Sequence, residues 1–265
     1  MKNKIQTEKK YAFSILRPAG NDTLLINGIP ERSIRNKLVE LAFQQFPLVE
    51  QVGFYSFNNR NKQGRLEMAG GEFCGNALRS LAYLLLAGNK GELSFQVSGT
   101  TKILTAGIKK SKSSFTEIPL KTNSNTRLLE NNLWQIDLEG ITQLITNKRN
   151  ILGADKAKKT AKNILSKYQL LESRSAAGVM FLTKKKEEYF MEPVVWVRNI
   201  QTFFYETACA SGTAAVGMYL RKSVSVNQPS GQLMNVDVRK VDNEICQIFI
   251  DGPIQVIEKK GEITI

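Results

Sequence analysis

Short apolar runs, several of them bounded by turn residues or clusters of charge, predict strands along most of the chain. They fall at Tyr11 to Arg17, Thr23 to Ile26, Thr101 to Ile108, Leu133 to Leu138, Val179 to Thr183, Tyr189 to Val197 and Glu244 to Ile250. The charged run Lys184 to Glu188 lies between two of these strands and predicts a solvated hairpin tip. Helical spacing is rarer. Ala157, Ala161, Ile164, Tyr168 and Leu171 step by four, three, four and three, which predicts an amphipathic helix with a wet lysine face. Two other stretches are nearly all apolar and predict buried helices. One follows Cys74, runs on from Asn76 broken only by Arg79 and Ser80, and stops at Gly88; the other follows Cys209 and ends at Leu220. In the second, Ser211 or Thr213 is placed to cap the start, and Arg221 and Lys222 suit the C-terminal dipole.

These two helices belong to a repeat. Glu72 stands two residues before Cys74, and Glu206 three before Cys209. A Ser-Gly turn follows each helix, in Phe95-Gln-Val-Ser-Gly-Thr and in Val226-Asn-Gln-Pro-Ser-Gly. The cysteines are 135 residues apart in a chain of 265, which points to an internal duplication. The polar stretch Lys121 to Thr126 marks the boundary. The expected fold is α+β: two similar domains related by pseudo-twofold symmetry, each a curved, mostly antiparallel sheet around a central buried helix. Residues 1–125, completed by 256–265, form the first domain and residues 126–255 the second.

Composition narrows the chemistry. Histidine is absent, so no catalytic triad, histidine base or imidazole metal site can be built. Three cysteines fall short of an all-cysteine zinc site, and proton transfer near neutral pH is left to Cys, Lys, Asp, Glu or Tyr. The net charge of +13 raises nucleic acid as a partner, but the densest basic stretch, Lys148 to Lys167, carries the helical apolar spacing of a solvated face, so no nucleic-acid contact is expected. The first ten residues lack the apolar run of a secretory signal, and no apolar stretch approaches 18 residues. The expectation is a cytoplasmic protein with free thiols and no membrane contact. Cys246, in the run Ile245-Cys-Gln-Ile-Phe-Ile250, reads as a small core residue of a strand.

A cysteine at a helix N-terminus is a place where negative charge is stabilised, because unpaired N–H groups and the dipole favour it. The same N–H groups, flanked by small residues, can receive a carboxylate. Two such cysteines across one α-carbon could remove a proton from one face and return one to the other, which is racemisation or epimerisation without a cofactor.

The motifs Glu-Phe-Cys74-Gly-Asn-Ala and Glu-Thr-Ala-Cys209-Ala-Ser-Gly-Thr-Ala resemble the paired motifs of the diaminopimelate epimerase fold family. Gly20-Asn21-Asp22 and Gln228-Pro-Ser-Gly-Gln-Leu233 resemble its N-terminal Gly-Asn-Asp and its late Pro-Gly-Gly-x-Leu turn. Two departures concern the substrate. Arg198-Asn199 lies too far upstream to match the Glu-Arg pair of diaminopimelate epimerases, and Ser175-Ala-Ala-Gly-Val-Met180 replaces their Gly-Asn-Pro-His segment. Glu50-Gln-Val-Gly-Phe54, Gly71 to Ala77, Gly178 to Phe181 and Asn227 to Gly231 are instead similar to the histidine racemases of opine-metallophore pathways.

The resemblance implies that Cys74 and Cys209 are the acid/base pair. It implies that Gly75 and Asn76, with Ala210, Ser211, Gly212 and Thr213, surround the α-carboxylate, and that Asn21, Glu50 and Glu206 contact the amino group or side chain. The expected activity is racemisation of a small-molecule amino acid, histidine ahead of diaminopimelate, with no cofactor and no metal. The rival of another class is a non-catalytic basic binding protein on the same fold. A homodimer is left open by the sequence.

Overall fold

The structure, a computed structural model, describes residues 8–110, 112–121, 126–147, 150 and 152–265. The middle of the expected boundary stretch, residues 122–125, and two members of the basic stretch, Lys148 and Arg149, lie outside the described residues.

The first run of elements is β1 (Lys10–Pro18), β2 (Asp22–Asn27), α1 (Arg32–Gln45), β3 (Val49–Asn58), β4 (Gln63–Met68), α2 (Gly75–Leu85), β5 (Gly91–Val97), β6 (Ile103–Ile108) and β7 (Ser113–Glu117). The second is β8 (Thr126–Glu130), β9 (Leu133–Leu138), β10 (Ile141–Asn147), α3 (Ala154–Lys167), α4 (Leu170–Ser173), β11 (Ala176–Lys185), β12 (Glu188–Val197), β13 (Thr202–Tyr205), α5 (Ala210–Leu220), β14 (Val224–Asn227), β15 (Leu233–Val241) and β16 (Glu244–Thr264). The described strands form one mixed, mostly antiparallel sheet.

Parallel neighbours need a crossover, and a helix supplies each one. β2 pairs parallel with β3 across α1, and β4 with β5 across α2. β10 pairs parallel with β11 across α3 and α4, and β12 with β14 across α5. The remaining neighbours in both runs are antiparallel, so the second run repeats the pairing order of the first. β16 serves both: Glu244 to Asp251 pairs with β15, Phe249 to Pro253 with β7, and Ile254 to Thr264 with β1.

The apolar helices are buried where their composition requires. α2 is buried from Gly75 to Ala82 and packs against β1, β2, β3, β5, β6, β7 and β16. α5 is buried from Ala210 to Met218 and packs against β9, β10, β11, β15 and β16. Within α2 the guanidinium of Arg79 is fully buried, which is costly; Nη2 has no partner among the described residues, and the other two nitrogens are bonded. Nη1 donates to the carbonyls of Gly252 (2.9 Å) and Pro253 (3.2 Å), and Nε to Asn76 Oδ1 (3.2 Å). Arg79 thereby pins α2 to the stretch of β16 that passes from β7 to β1.

Several sequence expectations change. The helix spaced from Ala157 to Leu171 is two helices, broken where Gln169 takes a left-handed φ of 53°. The strand expected from Thr101 begins at Ile103, because the Thr101 N–H turns away to Glu139 Oε1 at 2.7 Å. Neither Ser211 nor Thr213 caps α5; Cys209 does, with its own sulfur. Cys246 is exposed rather than in the core, since it lies on the outer end of the β15–β16 ribbon beyond Ile248, where burial begins. Lys184 to Glu188 is an exposed hairpin tip, as its charge predicts. Among the described residues no helix is long and apolar enough to cross a membrane.

Candidate active site

The two cysteine-bearing turns are built alike. Cys74 occupies the position before α2 with φ −130° and ψ 106°, and its Sγ accepts the Ala77 N–H at 3.4 Å. Cys209 occupies the position before α5 with φ −131° and ψ 111°, and its Sγ accepts the Gly212 N–H at 3.3 Å. Each turn is held by its Ser-Gly segment. Ser98 Oγ donates to Glu72 O (2.8 Å), and the Ser230 N–H donates to Thr207 O (3.0 Å), in both cases two residues before the cysteine. The following glycines, Gly99 and Gly231, have nearly equal left-handed φ values of 77° and 79°.

The helices meet start to start. A Cβ on Gly75 would lie 2.9 Å from the Ala210 Cβ, so only glycine allows this approach. The first N–H groups of each helix have no carbonyl within it to bond, and the Gly75, Asn76, Ala210 and Ser211 N–H groups occupy these first positions on either side of one cavity. Together with two converging positive dipole ends they offer the donors and the positive potential that a carboxylate needs.

The cavity holds both thiols and three carboxyl groups, Glu50, Glu72 and Glu206, with no Lys or Arg among its described lining residues. Burial pushes Glu50 up to about 7, against the opposing hydrogen bond from Thr207. Burial pushes Glu206 up to about 8; its hydrogen bond with Cys209 opposes this, and repulsion from Glu50 and Glu72 adds to it. Glu72 is raised by burial as well. Burial raises both thiols well above their ordinary range, and the negative charge of Glu206 raises them further. The thiols and these carboxyls therefore hold their protons more tightly than in water, and positive charge brought among them lowers all of these pKa values.

The profile of the "Histidine racemase CntK N-terminal domain" matches residues 10–263 of the chain. The chain belongs to the histidine racemase family. A histidine racemase of Fusobacterium nucleatum subsp. nucleatum is 31% identical over 271 residues, covering 96% of this chain and 97% of that protein. A histidine racemase of Staphylococcus aureus is 24% identical, covering 84% of this chain and 86% of its own. The fold is similar to that of a hydroxyproline epimerase from Agrobacterium vitis, solved with bound trans-4-OH-L-proline: the TM-score is 0.65 over 97% of this chain and 91% of that one, at 11% identity. This member of the histidine racemase family is thus an isomerase, and the binding-protein alternative is set aside.

Of the residues singled out in this family member's sequence, Cys74, Cys209, Glu50, Gly75, Asn76, Glu206, Ala210 and Ser211 line the cavity. Asn21, Gly212 and Thr213 are not among its lining residues and brace it from behind. Asn21 Oδ1 accepts the Ala208 N–H and the Thr207 hydroxyl, both at 2.8 Å. Thr213 Oγ1 donates to Cys209 O (2.7 Å) and accepts from Gln228 Nε2 (3.1 Å). A Cβ on Gly212 would lie 2.3 Å from Met180 Sδ. Sequence reasoning left out of the site Glu72, which lines the cavity, and four polar residues that bond to groups of the site. Gln51 Oε1 accepts from Cys74 Sγ (3.2 Å), and Gln51 Nε2 donates to Glu206 Oε1 (3.3 Å). Gln143 Nε2 donates to Ser211 Oγ (2.9 Å), and Gln228 Oε1 accepts the Cys209 N–H (3.0 Å). Thr207 Oγ1 donates to Glu50 Oε1 (3.0 Å). Gln51 and Thr207 adjoin glutamates already singled out; Gln143 carries no sequence signal.

Proposed function

We propose that this chain interconverts L- and D-histidine by a cofactor-independent, two-base mechanism in which Cys74 and Cys209 face opposite sides of the α-carbon. The single observation that carries the reading is the matched pair of thiols, each before a buried helix, with both helix starts on one cavity. One sulfur, as thiolate, takes the α-proton; the other, as thiol, gives its proton to the opposite face. The pair is regenerated with its roles reversed, so both directions run in one site. The α-carboxylate sits against the N–H groups of Gly75, Asn76, Ala210 and Ser211, where charge building up on its oxygens during proton removal meets preorganised donors. The α-ammonium sits by Glu50 and Glu206, offsetting the negative charge that raises both thiols.

The same reading assigns residues 1–125 with 256–265 and residues 126–255 to two domains from a duplication, related by a pseudo-twofold axis, each with its helix at the centre. Support comes from the repeated pairing order and from the pairing of Ile254 to Thr264 with β1. Because both thiols must be reduced, a reducing compartment such as the cytoplasm suits the reaction.

The test is α-proton exchange in deuterium oxide, followed by NMR under reducing conditions without added cofactor. The panel holds both enantiomers of histidine with aspartate, glutamate, lysine and diaminopimelate. Exchange and inversion of histidine are expected. Silence with histidine while the thiols are shown to be reduced overturns the reading, and exchange of diaminopimelate in its place makes the chain a diaminopimelate epimerase.

A further inference from the structure

The cavity's third carboxyl group has no assigned task. Glu206 Oε1 accepts from Gln51, and Glu50 Oε1 accepts from Thr207. Glu72 Oε2, like Glu50 Oε2, is closed off from solvent and has no hydrogen-bond partner, and no side chain among the described residues is placed to bond Glu72 as Gln51 and Thr207 bond the other two. Only the backbone N–H groups of Gly70 and of Glu72 itself favour its charged form, and burial outweighs them. A buried acceptor left unpaired is destabilising, and more so when it is charged. The chain nevertheless makes room for it. A Cβ on Gly70 would lie 2.4 Å from Glu72 Oε2 and 2.7 Å from Val197 Cγ1, so a glycine is required there for the carboxyl group to lie where it does.

Glu72 also stands on the side of the cavity that leads outward. Phe43, Ala69, Ile200 and Phe204 line both the cavity and the groove that continues it to the surface. Ala69 and Gly70 lie just before Glu72 in the chain, and Asn199 Nδ2 donates to Gly70 O at 2.7 Å, which joins this loop to the turn carrying Ile200. A substrate whose α-carbon lies between Cys74 and Cys209, with its carboxylate on the helix starts, has its side chain left to point along this way out, past Glu72.

Charge balance points to the nature of that side chain. An amino acid with a neutral side chain brings one positive group for three carboxyls, two of which already flank the α-centre. A second positive group, on the side chain, meets the partnerless oxygen of Glu72, the one that lies on the way out of the cavity. We propose that Glu72 recognises the protonated side chain of the substrate, so that the site selects amino acids whose side chain carries a cation, histidine binding as imidazolium. This rests on the racemase reading above and adds a specificity-determining residue to it. Bound, the imidazolium N–H donates to Glu72 Oε2, and the flat ring lies between the apolar walls of Phe43 and Phe204.

The experiment compares histidine with β-(2-thienyl)alanine, whose five-membered ring has a similar shape and no charge. Both are measured by α-proton exchange with the wild-type chain, Glu72→Gln and Glu72→Met, after thermal unfolding has shown each variant to be folded. The expected result is a fall in kcat/KM for histidine on the order of 10- to 100-fold, carried mainly by KM, as for loss of a hydrogen bond to a charged group. Exchange of thienylalanine stays the same or improves, so the preference for histidine collapses. A merely structural Glu72 would lower both substrates together, and that outcome, or an unchanged preference, overturns the inference. The failure of the racemase reading looks different: the wild-type chain itself would not exchange histidine.

Discussion

Cys74 and Cys209 begin their helices with the same backbone and end in different company. Their dihedral angles agree within a few degrees, and each sulfur accepts the N–H three residues on. Around Cys74 the side-chain partner is an acceptor. The thiol donates to Gln51 Oε1, whose orientation is fixed by Gln51 Nε2 on Glu206 and by the Thr23 hydroxyl on the same oxygen at 3.2 Å. Around Cys209 there are two partners: Glu206, which accepts from the thiol and raises it, and the Ser211 hydroxyl at 3.5 Å, which receives Gln143 Nε2 and has its own proton to offer the sulfur. An acceptor holds a proton on a thiol, whereas a donor favours the thiolate. Glu206 opposes the thiolate at both. A repeated backbone thus supplies two thiols in matched turns, and side chains from β3 and β10 give them different partners.

The comparison breaks most visibly on the sulfurs themselves. Cys74→Ser and Cys209→Ser should each lower racemisation on the order of 10²- to 10⁴-fold, the usual contribution of a positioned acid or base. Each variant should still wash deuterium into one enantiomer of histidine, and the two should act on opposite enantiomers. Exchange of the same enantiomer by both would refute the two-face arrangement. A smaller effect, on the order of tenfold in rate, is expected from Gln51→Leu and Ser211→Ala, each of which removes one hydrogen bond. Their effects on the thiols should run in opposite directions, with Gln51→Leu lowering the pKa of Cys74 and Ser211→Ala raising that of Cys209. The pH dependence of iodoacetamide alkylation, read at each sulfur by mass spectrometry, measures both, and shifts of one sign would remove the asymmetry.

The smallest effect is on stability. Glu50 and Glu206 have folded pKa values of about 7 and about 8, raised by burial from the ordinary 4.5. Between these limits the folded state holds more protons than the unfolded one, so stability falls as pH rises. It is fully present below about 4.5 and lost as pH passes through about 7 to 8. With no histidine in the chain, this window is free of imidazole titration. The Tm of the substrate-free protein should decline from pH 5 to pH 8, and Glu206→Gln should flatten the upper half of the decline. An unchanged slope in that variant would assign the proton uptake elsewhere.

Much of this was readable in the chain. The apolar stretches after Cys74 and Cys209 are buried helices because so few of their residues can face water, and Leu133 to Leu138 is a strand at its expected bounds. The matched Glu, Cys and Ser-Gly spacing recurs as matched geometry around the two sulfurs. Less legible were strands such as β3, Val49–Asn58, where Gly53 and the polar residues Gln51, Ser56 and Asn58 break the apolar run, and β16, which runs on through charged residues to Thr264 because β1 offers it a partner. Cys246 shows the limit of local pattern: its alternating run continues past the end of the core, so the same spacing that buries Ile248 and Ile250 leaves the thiol exposed.

By itself, then, the sequence determined which chemically capable groups the chain has and which elements carry them. The lack of histidine and the placing of two cysteines before apolar helices are properties of residue type and local order, and helix starts generate their donors and dipoles without help from distant residues. Only the tertiary structure decided what surrounds those groups. Gln143, Gln51 and Thr23 reach the sulfurs or their neighbours from strands far away in the chain, and Asn21 and Thr213 hold their loops from behind the cavity. Glu72 acquired its partnerless oxygen from the way a loop folds over Gly70. Burial and hydrogen-bond direction set how tightly a thiol or carboxyl group holds its proton, and both arise from neighbours brought together by folding rather than by adjacency in the chain.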